Sequence, residues 1–428
     1  MTTEVGVSMS LAPDDFLRAL FAAAVAAADP SKAMAAALPP RPRGRTVVVG
    51  AGKAAAAMAA AVETVWRHPM DGLVVTRYGH SVPTQHIDVV EAGHPVPDQA
   101  GQRAAVRIAA MTADLCADDL VLCLISGGGS ALLALPVEGV SLEDLQSITR
   151  ALLLSGATIS DMNCVRKHLS QLQGGKLAAR CWPAKVLTLA ISDVPGDDFA
   201  IIASGPTAPD PTRAADALSI CSRYRIPLPV SVRAYLESGL DETIKPGDPL
   251  LSAVEHRLIA SPQRSLEAAA AVAKAHGVTP FILGDSLEGE AREVGYAHAA
   301  IARQGMLHHQ LLPRPCVLLS GGETTVTVRG SGKGGRNAEF LLSVVLALDG
   351  LEGVYALAGD TDGIDGTQDN AGALAYPSTL SRARGLALDS REYLDRNDAY
   401  TFFEVLGDLL FTGPTRTNVN DFRAILML

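Results

Sequence analysis

The segment Leu-Ile-Ser-Gly-Gly-Gly-Ser-Ala-Leu at residues 124–132 carries the most legible chemistry of the chain, an anion cradle of bare backbone. Gly127, Gly128 and Gly129 stand between Ser126 and Ser130, after an apolar run from Leu120 to Ile125 that reads as a strand. Without Cβ atoms, successive N–H groups can converge on one point, and a following helix adds its positive end. A second copy of the pattern stands at Ser320, Gly321, Gly322, Glu323 and Thr324. Either alone is also consistent with a tight connection. Two on one chain, each opening from an apolar strand, point to phosphate handling.

The charged candidates sit at similar places. Gly50, Gly52 and Ala55 match the Gly-x-Gly-x-x-Ala dinucleotide fingerprint, with a strand before and an Ala-rich helix after, so an NAD(P)H-dependent reductase is an open alternative. Thr76-Arg77 stands where an acid for the ribose is expected, although Arg77 would tolerate a 2′-phosphate. Lys53 lies inside the same loop, and an ammonium at a helix start suits a transferring phosphoryl group, a solvated surface lysine being the alternative. The loop is not a Walker A motif, because its spacing and the hydroxyl after the lysine are missing. Asp193 follows an apolar strand and can accept a hydroxyl proton or hold Mg²⁺, or else cap its turn; Asp197 and Asp198 share that choice. Arg336 is delivered by the glycine loop 330–335 and can clamp a carboxylate or phosphate, unless Glu339 or another acid takes it. Asp360, Asp362, Asp365 and Asp369 crowd one turn, where a cation site and turn-capping roles compete. His80, His94 and His168 lack a nucleophile partner and read as structural, and six scattered cysteines form neither a zinc pattern nor a disulfide framework.

Strands alternating with helices must position these groups. Strands are expected at 46–49, 72–76, 89–90, 120–125 and 186–191, separated by helices, which implies a mostly parallel sheet covered on both faces. The alternation restarts beyond Lys245-Pro246-Gly247, so two domains are expected, at residues 1–246 and 247–428. Strands are expected at 279–284, 316–319 and 354–358, with an antiparallel one over Thr324 to Arg329. Ligands of open α/β sheets bind past the carboxyl ends of strands. Lys53, Ser126 to Ser130, Asp193, Glu323, Asp360 and Asp362 all fall there, which predicts one shared cleft between the domains. The formal charge of −10 argues against nucleic acid or an anionic membrane as partner. The absence of a basic leader and of a long apolar run predicts a cytoplasmic chain.

The blocks Gly50-Ala51-Gly52-Lys53, Gly93-His94-Pro95-Val96-Pro97-Asp98, Ser126 to Ser130 and Asn163-Cys164-Val165-Arg166-Lys167-His168 occur in this order. They are followed by Ser192-Asp193-Val194-Pro195-Gly196-Asp197, Ala203-Ser204-Gly205-Pro206-Thr207, Ser320 to Thr324, Gly334-Gly335-Arg336-Asn337, Thr361-Asp362-Gly363 and Thr417-Asn418-Val419-Asn420-Asp421. Together they resemble the glycerate 2-kinase family, whose C-terminal half is the MOFRL domain and some of whose members have been labelled hydroxypyruvate reductases. The resemblance covers almost the whole chain. It implies a Rossmann-like N-terminal domain, a smaller C-terminal α/β domain and phosphorylation of D-glycerate at its 2-hydroxyl by ATP with Mg²⁺. It implies a catalytic core of Lys53, Asp193 and Arg336, with Arg336 orienting the glycerate carboxylate and Asp193 polarising the hydroxyl. ATP phosphates would rest on Gly50, Gly52, Ser126 to Ser130 and Ser320 to Gly322, Mg²⁺ would rest on Glu323 or Asp362, and a homodimer is compatible with all of this. Two positions depart from the family pattern: Gln173 stands where a lysine is common, and Arg416 where a glycine is common.

Overall fold

The structure, a computed structural model, describes residues 11–308, 310 and 313–428. It divides into two compact units: Pro30–Ile259, and the N-terminal segment through Asp29 together with Ala260–Leu428. The division thus falls later than the expected 246/247, because the strand running to Ala260 still belongs to the first sheet. The first helix, Pro13–Ala27, joins the second unit: Phe16, Leu17, Leu20, Phe21 and Ala24 pack with Leu266, Val317, Leu357 and Phe422.

The first unit is built on β1 (Thr46–Ala51), β2 (Asp71–Arg77), β3 (Ile87–Ala92), β4 (Leu120–Ser126), β5 (Lys185–Ile191) and β6 (Val254–Ala260). Their order is β3-β2-β1-β4-β5-β6, and β1 to β5 pair in parallel. Every residue of β1 and β4 is buried, as the unbroken apolar runs of a doubly covered sheet require. The strand order reverses direction between β1 and β4, the switch point at which open α/β sheets leave a crevice. A satellite cluster, including Ile148, Val165, Ala217 and Val232, is supplied by the helices Leu142–Leu154, Ile159–His168, Ala214–Arg223 and Val230–Ser238.

The second unit holds β7 (Thr279–Gly284), β8 (Gly289–Glu290), β9 (Cys316–Gly322), β10 (Thr324–Thr325), β11 (Val354–Asp360), β12 (Gly372–Ala375), β13 (Leu409–Leu410) and β14 (Asp421–Met427). The main sheet runs β13-β12-β11-β14-β9-β7. Within this sheet β7 and β9 pair in parallel, and β14 inserts antiparallel between β11 and β9. The expected antiparallel strand over Thr324 to Arg329 is reduced to β10, which pairs in parallel with β8. Beyond Thr325 the segment is mostly exposed, with Val328 open to solvent, so its alternation of residue types has no sheet face to match. The helix Arg336–Leu348 covers one face of the sheet and is buried along most of its length. Among the described residues, no helix is long and apolar enough to cross a membrane.

Candidate functional site

In the first unit, register alone brings three candidates together. Ala51 pairs with Ile125 and Ser126 with Ile191, so Lys53, the glycine loop and Asp193 leave adjacent strands at the same carboxyl edge. The contacts are specific. The Gly52 amide donates to the Val75 carbonyl at 3.0 Å, the Lys53 amide to the Gly127 carbonyl at 2.8 Å, and the Ala54 amide to Ser126 Oγ at 2.9 Å. Three successive N–H groups of the fingerprint turn are therefore consumed inside the protein. A pyrophosphate would need such groups open toward it. Among the described residues, by contrast, the amides of Gly127 and Gly128 meet no protein acceptor.

The cradle is packed too tightly for any side chain but hydrogen. A Cβ on Gly52 would lie 2.1 Å from Ser126 Oγ, and one on Gly129 would lie 2.5 Å from the Ala203 Cβ. Gly128 has φ +81°, and a Cβ there would meet His94 Nε2 at 3.0 Å and Lys53 Cγ at 3.5 Å. His94, which the sequence suggests is only structural, thus borders the cradle.

The loop is braced from beneath by Ala203, Ser204 and Gly205, three successive residues in the left-handed region, at φ 52°, 59° and 58°. The two non-glycine residues store on the order of 1 kcal/mol each, so something must hold them. The Ser204 and Gly205 carbonyls accept the amides of Gly174 and Gly175 at 3.1 and 2.8 Å. Buried Ser204 Oγ bonds to Ser130 Oγ at 2.8 Å and to Asn163 Oδ1 at 3.0 Å. Gln173, one of the two departures from the family pattern, is also buried and donates its amide to the Ser130 carbonyl at 2.7 Å. The sequence marks Ala203 to Thr207 only as a family block and Gln173 only as a departure; left-handed alanine and serine have no compositional signal. Asp198 caps its turn by accepting the Ala200 amide at 2.8 Å, while Asp197 Oδ1 is buried without a hydrogen bond. Burial pushes the Cys181 thiol up to about 12 and Cys123 higher still, so these buried cysteines are inert.

In the second unit the candidates have different surroundings. Ser320, Gly321 and Gly322 are not a second open cradle: they lie within β9 and pair with Arg423, Phe422 and Asp421 of β14. Ser320 Oγ bonds to His298 Nε2 at 2.9 Å, and the Gly321 carbonyl accepts from Leu287 and Arg423. A strand from the far end of the chain fills the place expected for a ligand. Arg336 donates to Asp421 Oδ1 at 2.7 Å and Asp360 Oδ2 at 2.8 Å, with Glu323 at 3.4 Å. Burial opposes its charge, but Asp421, Asp360 and Glu323 outweigh it and hold its pKa well above the ordinary value. Glu339, the alternative partner, instead pairs with Arg292 at 2.7 Å.

The aspartates of the 360–369 turn are engaged in structure. Asp360 accepts the Asp362 amide, Asp362 the Ile364 amide, Asp369 the Tyr400 hydroxyl, and Asp365 the amides of Asn337 and Ala338 at the start of the helix Arg336–Leu348. Burial raises the Asp365 carboxyl to about 6 against those amide bonds. Among the described residues no group of three or more His, Cys, Asp or Glu side chains is placed to hold a metal. Glu323 faces Arg336, and Asp362 closes its own turn. Asp421, to which the sequence reading gives no role, is the hub: it is fully buried between Arg336 and Arg423.

Residues 16–237 match a family described as a domain of unknown function, DUF4147, and residues 316–421 match the MOFRL family. A Thermotoga maritima protein named D-glycerate 2-kinase is 44% identical, over 92% of this chain and 93% of its own. An Agrobacterium vitis protein, named provisionally as a hydroxypyruvate reductase, is 55% identical over 96% of this chain and 94% of its own. The crystal structure of a glycerate kinase from Thermotoga maritima aligns with a TM-score of 0.87 at 42% identity, covering 97% of this chain and 99% of that one. Similarity of this extent makes the chain a member of the glycerate 2-kinase family that carries the MOFRL domain.

Proposed function

We propose that the protein transfers the γ-phosphoryl group of ATP to the 2-hydroxyl of D-glycerate, giving 2-phosphoglycerate. The observation that carries this reading is the pair of bonds from the Lys53 and Ala54 amides to the Gly127 carbonyl and the Ser126 hydroxyl. They fix an ammonium-bearing helix start against a glycine loop whose own amides stay available. Phosphoryl transfer needs positioning and charge stabilisation more than a covalent nucleophile, and such an arrangement supplies both. The names of the Thermotoga maritima relative and structure support glycerate as the acceptor.

In this reading the loop Ser126 to Ser130 receives phosphate oxygens and Lys53 neutralises charge on the transferred group. Asp193, at the neighbouring strand end, accepts or polarises the proton of the attacking hydroxyl. Arg336 can reach an anion by displacing Glu323, its longest and most exposed partner. Mg²⁺ is read as entering with the nucleotide as MgATP, with Glu323 or Asp362 as the carboxylate beside it.

The competing reductase reading has the fingerprint at Gly50 and Gly52 and the Agrobacterium vitis names in its favour. The occupied amides of that turn, and β2 ending on Arg77 in place of an acid, weigh against it. One experiment separates them. ADP release with D-glycerate and MgATP, with phosphorus NMR of the product, is expected to show 2-phosphoglycerate. NADH oxidation with hydroxypyruvate and no ATP requirement would replace the kinase by the reductase.

A further inference from the structure

We infer that Arg166 is the receptor for the substrate's carboxylate, an assignment that rests on the glycerate kinase reading and specifies how the acid is recognised. Among the described residues the buried lysines and arginines each have an acid. Lys167 meets Asp210 at 3.4 Å, Lys176 meets Asp241 at 2.9 Å, Arg292 meets Glu339 at 2.7 Å and Arg423 meets Asp421 at 2.6 Å. Arg166, half-buried beside them, has none. Among the described residues its guanidinium makes one hydrogen bond, a long one of 3.5 Å to Asn163 Oδ1, and no ion pair. Burial lowers its pKa with no nearby acid to offset the loss.

A partly desolvated charge without a counter-ion is costly, and a guanidinium has five N–H donors to satisfy. The place to find its partner is the narrow recess that Arg166 lines with Pro97, Thr149, Ser130, Ser170 and Gln173. The recess is part of the cradle's own framework, because Ser130 is tied to Gln173 through its carbonyl and to Ser204 through its hydroxyl. Asn163 accepts from both Ser204 and Arg166, so the guanidinium is anchored to the brace that sets the loop. A flat carboxylate offers two oxygens to a guanidinium fork. A small hydroxy acid clamped there would have its carboxylate held at the loop that receives phosphate. Arg336, by contrast, already has three acids around it.

The test uses the full-length protein and the variants Arg166→Lys and Arg166→Gln. If the wild type shows no turnover of D-glycerate with MgATP, the kinase reading itself falls, before Arg166 is questioned. Given turnover, Arg166→Gln is expected to raise KM for D-glycerate roughly tenfold to hundredfold, as loss of a charged hydrogen-bond pair does. KM for ATP should stay within about twofold, and preference for D-glycerate over its neutral amide should collapse. Arg166→Lys should recover part of that preference, because it restores charge without the fork, and calorimetric titration with D-glycerate alone should follow the same order. A rise in KM for ATP instead would assign Arg166 to nucleotide phosphate and overturn the inference. So would a lowered Tm in both variants with both KM values unchanged, the mark of a packing role.

Discussion

The hydroxyl of Ser126 accepts the amide of Ala54 at 2.9 Å, so the serine closing one strand caps the helix that follows its neighbour. Lys53 sits between that cap and its own amide bond to Gly127, and cannot drift without breaking one of them. Ser126→Ala should therefore cost about 1 kcal/mol in urea unfolding, the usual worth of a helix cap. It should also lower kcat roughly tenfold, since a small misplacement of a charge stabiliser is felt in the rate. Wild-type turnover in a destabilised variant would separate the hydroxyl from the lysine's placement.

Lys53→Ala removes the charge itself. Loss of a preorganised stabiliser typically costs about a hundredfold or more in kcat, and that loss is expected here with the fold intact by circular dichroism. Turnover close to wild type would take Lys53 out of the mechanism.

Gly129→Ala tests how tightly the loop sits on its brace. The new methyl would meet the Ala203 Cβ at 2.5 Å and the Ala51 carbonyl oxygen at 2.9 Å. Overpacking of this kind costs about 1–3 kcal/mol, and the shift should open the cradle as well. Gly196→Ala is the control: φ is +78°, nothing lies within 4 Å, and only the backbone penalty of about 1 kcal/mol remains. Equal losses of Tm in the two variants would contradict the contact.

Asp421→Asn asks what the hub of the second unit is worth. One carboxylate answers both Arg336, at 2.7 Å, and Arg423, at 2.6 Å, and Arg423 is fully buried over the Phe340 ring. Removing one partner of a buried ion pair costs about 3–5 kcal/mol, because the remaining charge is left uncompensated. A urea midpoint within error of wild type would show that the arginines find other acids.

His298 sets an expectation for pH. Its Nδ1 lies 2.8 Å from the Val294 carbonyl and must donate to it, and its Nε2 lies 2.9 Å from Ser320 Oγ. Burial, opposed by the Val294 bond and helped by Arg423, pushes its pKa down to about 4, so the ring is neutral near pH 7 and Nε2 accepts from Ser320 Oγ. The unfolded chain takes up this proton first, near 6.5. The stabilisation is complete above about pH 6.5 and drains away as pH falls toward 4, by at most about 3 kcal/mol. Stability measured between pH 7 and 4.5 should fall less steeply in His298→Gln than in wild type. Parallel slopes would mean that His298 already titrates normally in the fold.

Much of the first unit was readable in the sequence because its strands are unbroken apolar runs ended by glycine. Val47-Val48-Val49 before Gly50 and the run Leu120 to Ile125 before Ser126 locate both edges of the crevice without any knowledge of partners. What could not be read is whatever depends on residues far apart in the chain. Ser320 to Gly322 look like a turn after a strand until β14, about a hundred residues later, pairs with them. The brace at Ala203 and Ser204 is invisible for another reason: left-handed backbone at those residues is imposed by Gly174, Gly175 and Asn163. Arg416, the second departure from the family pattern, has φ +63°, so its position keeps the backbone a glycine would take and tolerates the strain on an exposed side chain. Gln173 departs too, but its job of holding Ser130 needs only an amide.

The helix Pro13–Ala27 has a consequence for how the chain is made. Its phenylalanines pack on Leu266 and Phe422, and Thr417 near the C-terminus donates to the Ala28 carbonyl at 2.8 Å. Pro30–Ile259 is one continuous stretch and can take shape as it leaves the ribosome, whereas the apolar face of Pro13–Ala27, translated before it, stays uncovered until the strands beyond Ala260 have followed. Chaperone capture of nascent chains should therefore centre on this helix, whose partners are translated only after the whole of the intervening unit.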